Sequence, residues 1–122
     1  MEKDRKTIVF VDDDKVQHMI NRRILEKMNK GLKMIFFEDP YDALEWLTIN
    51  NTDLILLDIN MPKMDGWDFL RRMEVKGIKG NVKMLTASLD PNDLDKSKDF
   101  KQISGFLIKP IQEQNFMELL AD

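Results

Sequence analysis

Leu54-Ile55-Leu56-Leu57 is an unbroken run of four apolar residues, and Asp58 follows it directly. A strand with one face in water alternates apolar and polar side chains. A strand that is apolar at every position is covered on both faces, as happens inside a parallel sheet with helices on either side. Ile8-Val9-Phe10-Val11, upstream, is of the same kind, β-branched and aromatic. Leu32 to Phe37, Val82 to Thr86 and Gly105-Phe106-Leu107-Ile108 read as three further strands.

Helical patterns separate these runs. From Lys15 to Met28 the apolar residues Val16, Met19, Ile20, Ile24, Leu25 and Met28 fall at helical spacing, and Asn29-Lys30-Gly31 stops the helix. Asp39-Pro40 is an N-cap followed by proline at the first helical position, with Ala43, Leu44 and Leu47 as the buried face behind it. A third helix runs from Trp67 to Lys76. Asp90-Pro91 repeats the cap-and-proline signal, but the helix behind it is thinly apolar, with only Leu94, Phe100 and Ile103 in a charged stretch. A last helix spans Ile111 to Leu120, with Phe116, Leu119 and Leu120 facing inward. Five strands alternating strictly with five helices predict an α/β fold: an open parallel sheet, doubly wound, with right-handed crossovers.

The length of 122 residues suits one domain. With no cysteine there is no disulfide scaffold, zinc ribbon or thiol enzyme, and the cytosol is permitted. Nineteen Lys and Arg against 22 Asp and Glu leave a formal charge of −3, which argues against a broad nucleic-acid surface. The apolar runs are too short to span a membrane.

In open α/β sheets, sites form beyond the carboxyl ends of the strands. Asp12, Asp13 and Asp14 follow the first strand and Asp58 follows the third. The fourth ends in Thr86 and the fifth in Lys109-Pro110. Asp14, next to the first helix, reads as its N-cap. The remaining carboxylates must share one rim, where two unit charges about 5 Å apart repel by roughly 3 kcal/mol at an effective dielectric of about 20. A divalent cation would offset that repulsion, and oxygen-only ligands suit magnesium, manganese or calcium rather than zinc. A metal beside Lys109 is also an anion site suited to phosphoryl oxygens. Asp58 is then a candidate nucleophile, and Thr86 a hydroxyl donor to the bound group.

The segment Asp58-Ile59-Asn60-Met61-Pro62-Lys63-Met64-Asp65-Gly66 resembles the phosphoacceptor loop of two-component response regulator receiver domains. The acid cluster, Thr86-Ala87 and Phe106-Leu107-Ile108-Lys109-Pro110 match the family's other signatures in order and spacing. The resemblance runs from Ile8 to the last helix.

This resemblance implies a flavodoxin-like strand order, 2-1-3-4-5, and a single cytoplasmic receiver domain over residues 1–122 with no output domain. It implies that Asp58 accepts a phosphoryl group from a histidine kinase or phosphotransfer protein. Mg²⁺ would be held by Asp12, Asp13, Asp58 and the carbonyl of Asn60. Thr86 and Lys109 would contact the phosphoryl oxygens, and Thr86 and Phe106 would form the conformational switch. The downstream protein would bind the face made by the fourth helix, fifth strand and fifth helix. Such a chain is a signalling phosphoacceptor and not an enzyme with separate substrates.

Other residues have plainer readings. Asp65-Gly66 is a turn in which glycine tolerates positive φ. His18 reads as a partly exposed helix histidine rather than a relay residue. Most methionines read as core fillers, with Met61 and Met64 partly exposed in the loop. An aspartate-nucleophile phosphatase would carry a second Asp where Asn60 stands. A flavin carrier would need a glycine- and hydroxyl-rich loop in place of Asp12-Asp13-Asp14.

Overall fold

The computed structural model describes residues 6–28 and 31–121. The elements are β1 (Thr7–Val11), α1 (Lys15–Met28), β2 (Lys33–Phe37), α2 (Pro40–Ile49), β3 (Leu54–Asp58), α3 (Gly66–Lys76), β4 (Val82–Thr86), α4 (Pro91–Ser97), β5 (Ile103–Ile108) and α5 (Glu113–Leu119). All the strand pairs are parallel, and the sheet order is β2-β1-β3-β4-β5. The doubly wound α/β fold and the 2-1-3-4-5 order are therefore both observed.

β3 is buried along its whole length, as its unbroken apolar run requires. Successive side chains of a strand point to opposite faces, so the central strands divide their residues between two cores. Val9, Val11, Ile55 and Leu57 pack with Ala43, Leu44, Leu47, Phe69, Leu70 and Met73 of α2 and α3. Ile8, Phe10, Leu54 and Leu56 pack with Leu25 of α1 and Phe116 of α5.

Local signals act as their chemistry predicts. The Asp39 carboxylate accepts from the Tyr41 N–H at 2.9 Å, and Asp90 accepts from the Asp93 N–H at 3.0 Å, each ahead of a proline. Asp14 accepts from the N–H groups of Val16 and Gln17, which confirms it as the α1 cap. Gly31 has φ +67°. The other two residues of the expected α1 stop, Asn29 and Lys30, lie outside the described residues. No helix among the described residues is long and apolar enough to cross a membrane.

Several expectations need correction. Ile103, read as part of the fourth helix, opens β5 instead; α4 ends at Ser97 and buries none of its own residues. The inner face of α1 is His18, Asn21 and Leu25, while Val16, Met19 and Ile20 face outward. Met61 and Met64 are buried in the α2–α3 core, because the loop after β3 folds back over it.

Candidate functional site

Register places the candidate residues before any side chain does. Val11 pairs with Leu57, so Asp12 and Asp58 leave the sheet side by side. Asp58 pairs with Leu85 and Thr86 with Ile108, so Thr86 and then Lys109 follow at the same edge. Backbone bonds extend the ladder past the strand ends: Asp12 N donates to Phe37 O at 3.1 Å, Ile59 N to Leu85 O at 3.0 Å, and Lys109 N to Thr86 O at 2.8 Å. The Lys109–Pro110 peptide is cis.

Asp12, Asp13 and Asp58 each offer a carboxylate oxygen, and these atoms lie within 4.8 Å of one another. Asp12 and Asp58 are buried, whereas Asp13 is exposed. Lys109 Nζ bridges the two buried acids, 3.0 Å from Asp12 Oδ2 and 3.2 Å from Asp58 Oδ2. The remaining oxygens take backbone donors: Asp14 N donates to Asp12 Oδ1 at 3.0 Å, and Asn60 N to Asp58 Oδ1 at 3.2 Å.

Burial dominates the electrostatics of Asp58. It pushes the carboxyl up to about 6, and the charge of Asp12 adds to that, while Lys109 and the Asn60 N–H pull the other way. Burial also disfavours the charge on Lys109. The hydrogen bonds and charges of Asp12 and Asp58 outweigh it and hold the ammonium above its ordinary range.

Three carboxylates and one ammonium leave a net negative site in a partly dry rim. An all-oxygen donor set with one exposed member fits a hard divalent cation that keeps part of its water. Buried Asp58 has Oδ1 on the Asn60 N–H and Oδ2 on Lys109, a pair of contacts that would orient a carboxylate nucleophile.

The other expected residues stand differently. Thr86 is buried at the end of β4, but its hydroxyl donates to Ser88 O at 2.8 Å and accepts from Ser88 N at 3.3 Å, so it is engaged with its own loop and not with the acids. Phe106 is half-buried against the α2–α3 core. Asn60 has an exposed side chain and meets Asp58 through its backbone N–H.

Two residues carry weight that the sequence reading missed. Gly66 does not have positive φ; it opens α3, and its N–H donates to Ile59 O at 2.8 Å. A Cβ there would stand 2.9 Å from Asp58 O and 3.0 Å from Ile59 Cα, so glycine is required by close approach to the Asp58 backbone. His18 is buried and not partly exposed, with Nε2 2.7 Å from Asp12 O and 3.1 Å from Phe37 O. Its place at i+4 from the Asp14 cap was the only available signal, and it says nothing about which carbonyls end nearby.

A family model described as the response regulator receiver domain matches residues 8–121. The chain is 32% identical over 106 residues to the cyclic di-GMP phosphodiesterase response regulator RpfG of Xanthomonas campestris pv. campestris (strain 8004), covering 86% of this chain and 28% of that protein. It is 37% identical over 87 residues to the sensor histidine kinase RcsC of Escherichia coli (strain K12), covering 70% of this chain and 9% of that protein. The chain thus spans less than a third of the length of these curated relatives. Among solved structures, a two-component response regulator from Legionella pneumophila superposes with a TM-score of 0.81 at 30% identity, covering 94% of this chain and 95% of that one. The chemotaxis protein CheY4 of Vibrio cholerae gives 0.79 at 25% identity, covering 95% and 96%.

Proposed function

The chain belongs to the response regulator receiver domain family, and from that premise we propose that Asp58 is the residue that accepts the phosphoryl group, with Asp12, Asp13, Asn60 and Lys109 as its machinery. Receivers are phosphoacceptors of two-component signalling, and the relatives include both response regulators and sensor histidine kinases. The observation that carries the assignment is the Lys109 ammonium held between Asp12 and Asp58, with Asp13 open to solvent beside them.

In the proposed reaction an Asp58 carboxylate oxygen attacks the phosphorus of a phosphohistidine. The new O–P bond forms as the N–P bond breaks, and the electron pair stays on the donor's imidazole nitrogen. Asp58 must be ionised to attack, and its Oδ1 is oriented by the Asn60 N–H. Lys109 would move from the carboxylate pair onto a phosphoryl oxygen. The carboxylates of Asp12, Asp13 and Asp58 and the Asn60 carbonyl would hold Mg²⁺, which when bound neutralises charge on the transferring group. Thr86 would reach the phosphoryl oxygens only after giving up Ser88 O, and that exchange, with Phe106 moving inward, is the proposed switch. The phosphate can favour the switched conformer only by its extra contacts there. Leu94, Ile108 and Met117 are exposed apolar side chains on α4, β5 and α5, which supports that face as the downstream contact.

The test is intact mass after incubation with acetyl phosphate. A single phosphoryl adduct is expected with Mg²⁺ and none after EDTA treatment or in Asp58→Asn. An adduct at full yield in Asp58→Asn would sink the assignment.

A further inference from the structure

His18 is, with Asn21, one of two buried polar residues of α1 among the described residues, and the proposed chemistry uses the position of neither. Its Nε2 faces two carbonyl oxygens, Asp12 O at 2.7 Å and Phe37 O at 3.1 Å. Both can only accept, so the ring hydrogen is assigned to Nε2. Nδ1 is buried with no hydrogen-bond partner among the described residues. A side chain selected for packing alone would be apolar here, because the ring lies edge-on to Phe36 with centroids 5.2 Å apart. Histidine leaves one nitrogen unpaired, which is unfavourable, and in exchange donates from the other.

What Nε2 holds is the peptide that joins Asp12 to Asp13. That unit is planar, so fixing its oxygen also fixes the direction of the Asp13 N–H and the position of the Asp13 Cα. The preceding peptide is fixed by Asp12 N donating to Phe37 O, the same carbonyl that His18 contacts. Asp12 has further anchors in Asp14 N and Lys109. Asp13 is exposed, and among the described residues nothing holds its carboxylate. We infer that His18 is a positioning residue for the divalent-cation site: by clamping the Asp12–Asp13 peptide to the ends of β1 and β2, it sets where the Asp13 carboxylate stands relative to Asp58. The inference rests on the proposed cation site at Asp12, Asp13 and Asp58.

The experiment is calorimetric titration of the metal-free chain with MgCl₂, paired with thermal melts in EDTA. His18→Leu, which keeps bulk but has no donor, should weaken Mg²⁺ binding by about tenfold or more, the usual effect of losing a partner that orients a ligand. His18→Gln, whose amide can reach the same carbonyls, should restore affinity to within about threefold of the parent. Met28→Ala, half-buried on the same helix, should lower the melting temperature with Mg²⁺ affinity unchanged. Should His18→Leu fail to fold, His18→Asn, whose amide is too short to reach Asp12 O, takes its place against His18→Gln. Unchanged affinity in His18→Leu, equal losses in the Gln and Leu variants, or an equal loss in Met28→Ala would each overturn the inference. A parent chain that binds no Mg²⁺ would instead overturn the cation site itself.

Discussion

Asp58 shows how the site is kept ready at a cost to the fold. Burial raises its carboxyl to about 6 from the ordinary 3.8, so between those values the native chain holds more protons than the unfolded one. Stability then falls as pH rises through that window and is lower above it. In metal-free buffer at pH 7.5, Asp58→Asn is expected to melt higher than the parent, by a difference worth up to about 3 kcal/mol, and the gap should close near pH 4. Mg²⁺ should reverse the order by stabilising only the parent. Equal melting at both pH values would show that Lys109 cancels the burial cost outright. Gly66→Ala brings a Cβ to 2.9 Å from Asp58 O. The expected result is a loss of about 1–3 kcal/mol in thermal stability, together with slower labelling by acetyl phosphate as the Asp58 backbone gives way. At this scale the ionisable residues were legible because each follows a strand end. Gly66 and His18 were not, because the atoms that demand them, Asp58 O and Asp12 O, belong to backbone distant in sequence or in direction.

Among the elements, α4 stands apart. It is seven residues long and buries none of them, while Phe100, beyond its end, packs on Trp67 of α3 with ring centroids 5.9 Å apart. Lys96 adds a cation over the same indole at 5.6 Å. Few buried contacts mean low local stability. Amide exchange should therefore be fastest in α4 among the five helices, and phosphorylation or beryllofluoride should change its exchange more than that of α2. Exchange in α4 as slow as in α3 would remove it as the mobile element. The thin apolar pattern of this stretch was visible in the sequence, but its end was not. Ile103 continues the spacing of Leu94 and Phe100, and only its pairing with Val82 shows that it belongs to β5. The rotation of α1 was likewise hidden. The inward face carries His18 and Asn21 beside Leu25, a mostly polar set that the apolar spacing of Val16, Met19 and Ile20 does not point to.

Across the whole molecule, the sheet is both core divider and ruler. Period-2 alternation sends Val9 and Ile55 to one helical layer and Phe10 and Leu56 to the other. The parallel register brings Asp12, Asp58, Thr86 and Lys109 to one edge from positions as far as 97 residues apart in the chain. The sequence by itself determined the element alternation, the parallel buried sheet and the identity of the rim residues, because strand periodicity, caps and chain order are local properties. Tertiary structure alone decided that Lys109 bridges Asp12 and Asp58, that Thr86 is engaged with Ser88, that Gly66 has no room for a side chain, and that His18 clamps the Asp12–Asp13 peptide. Those facts depend on distances between atoms on different elements, which are set when strand register and helix rotation are fixed by packing.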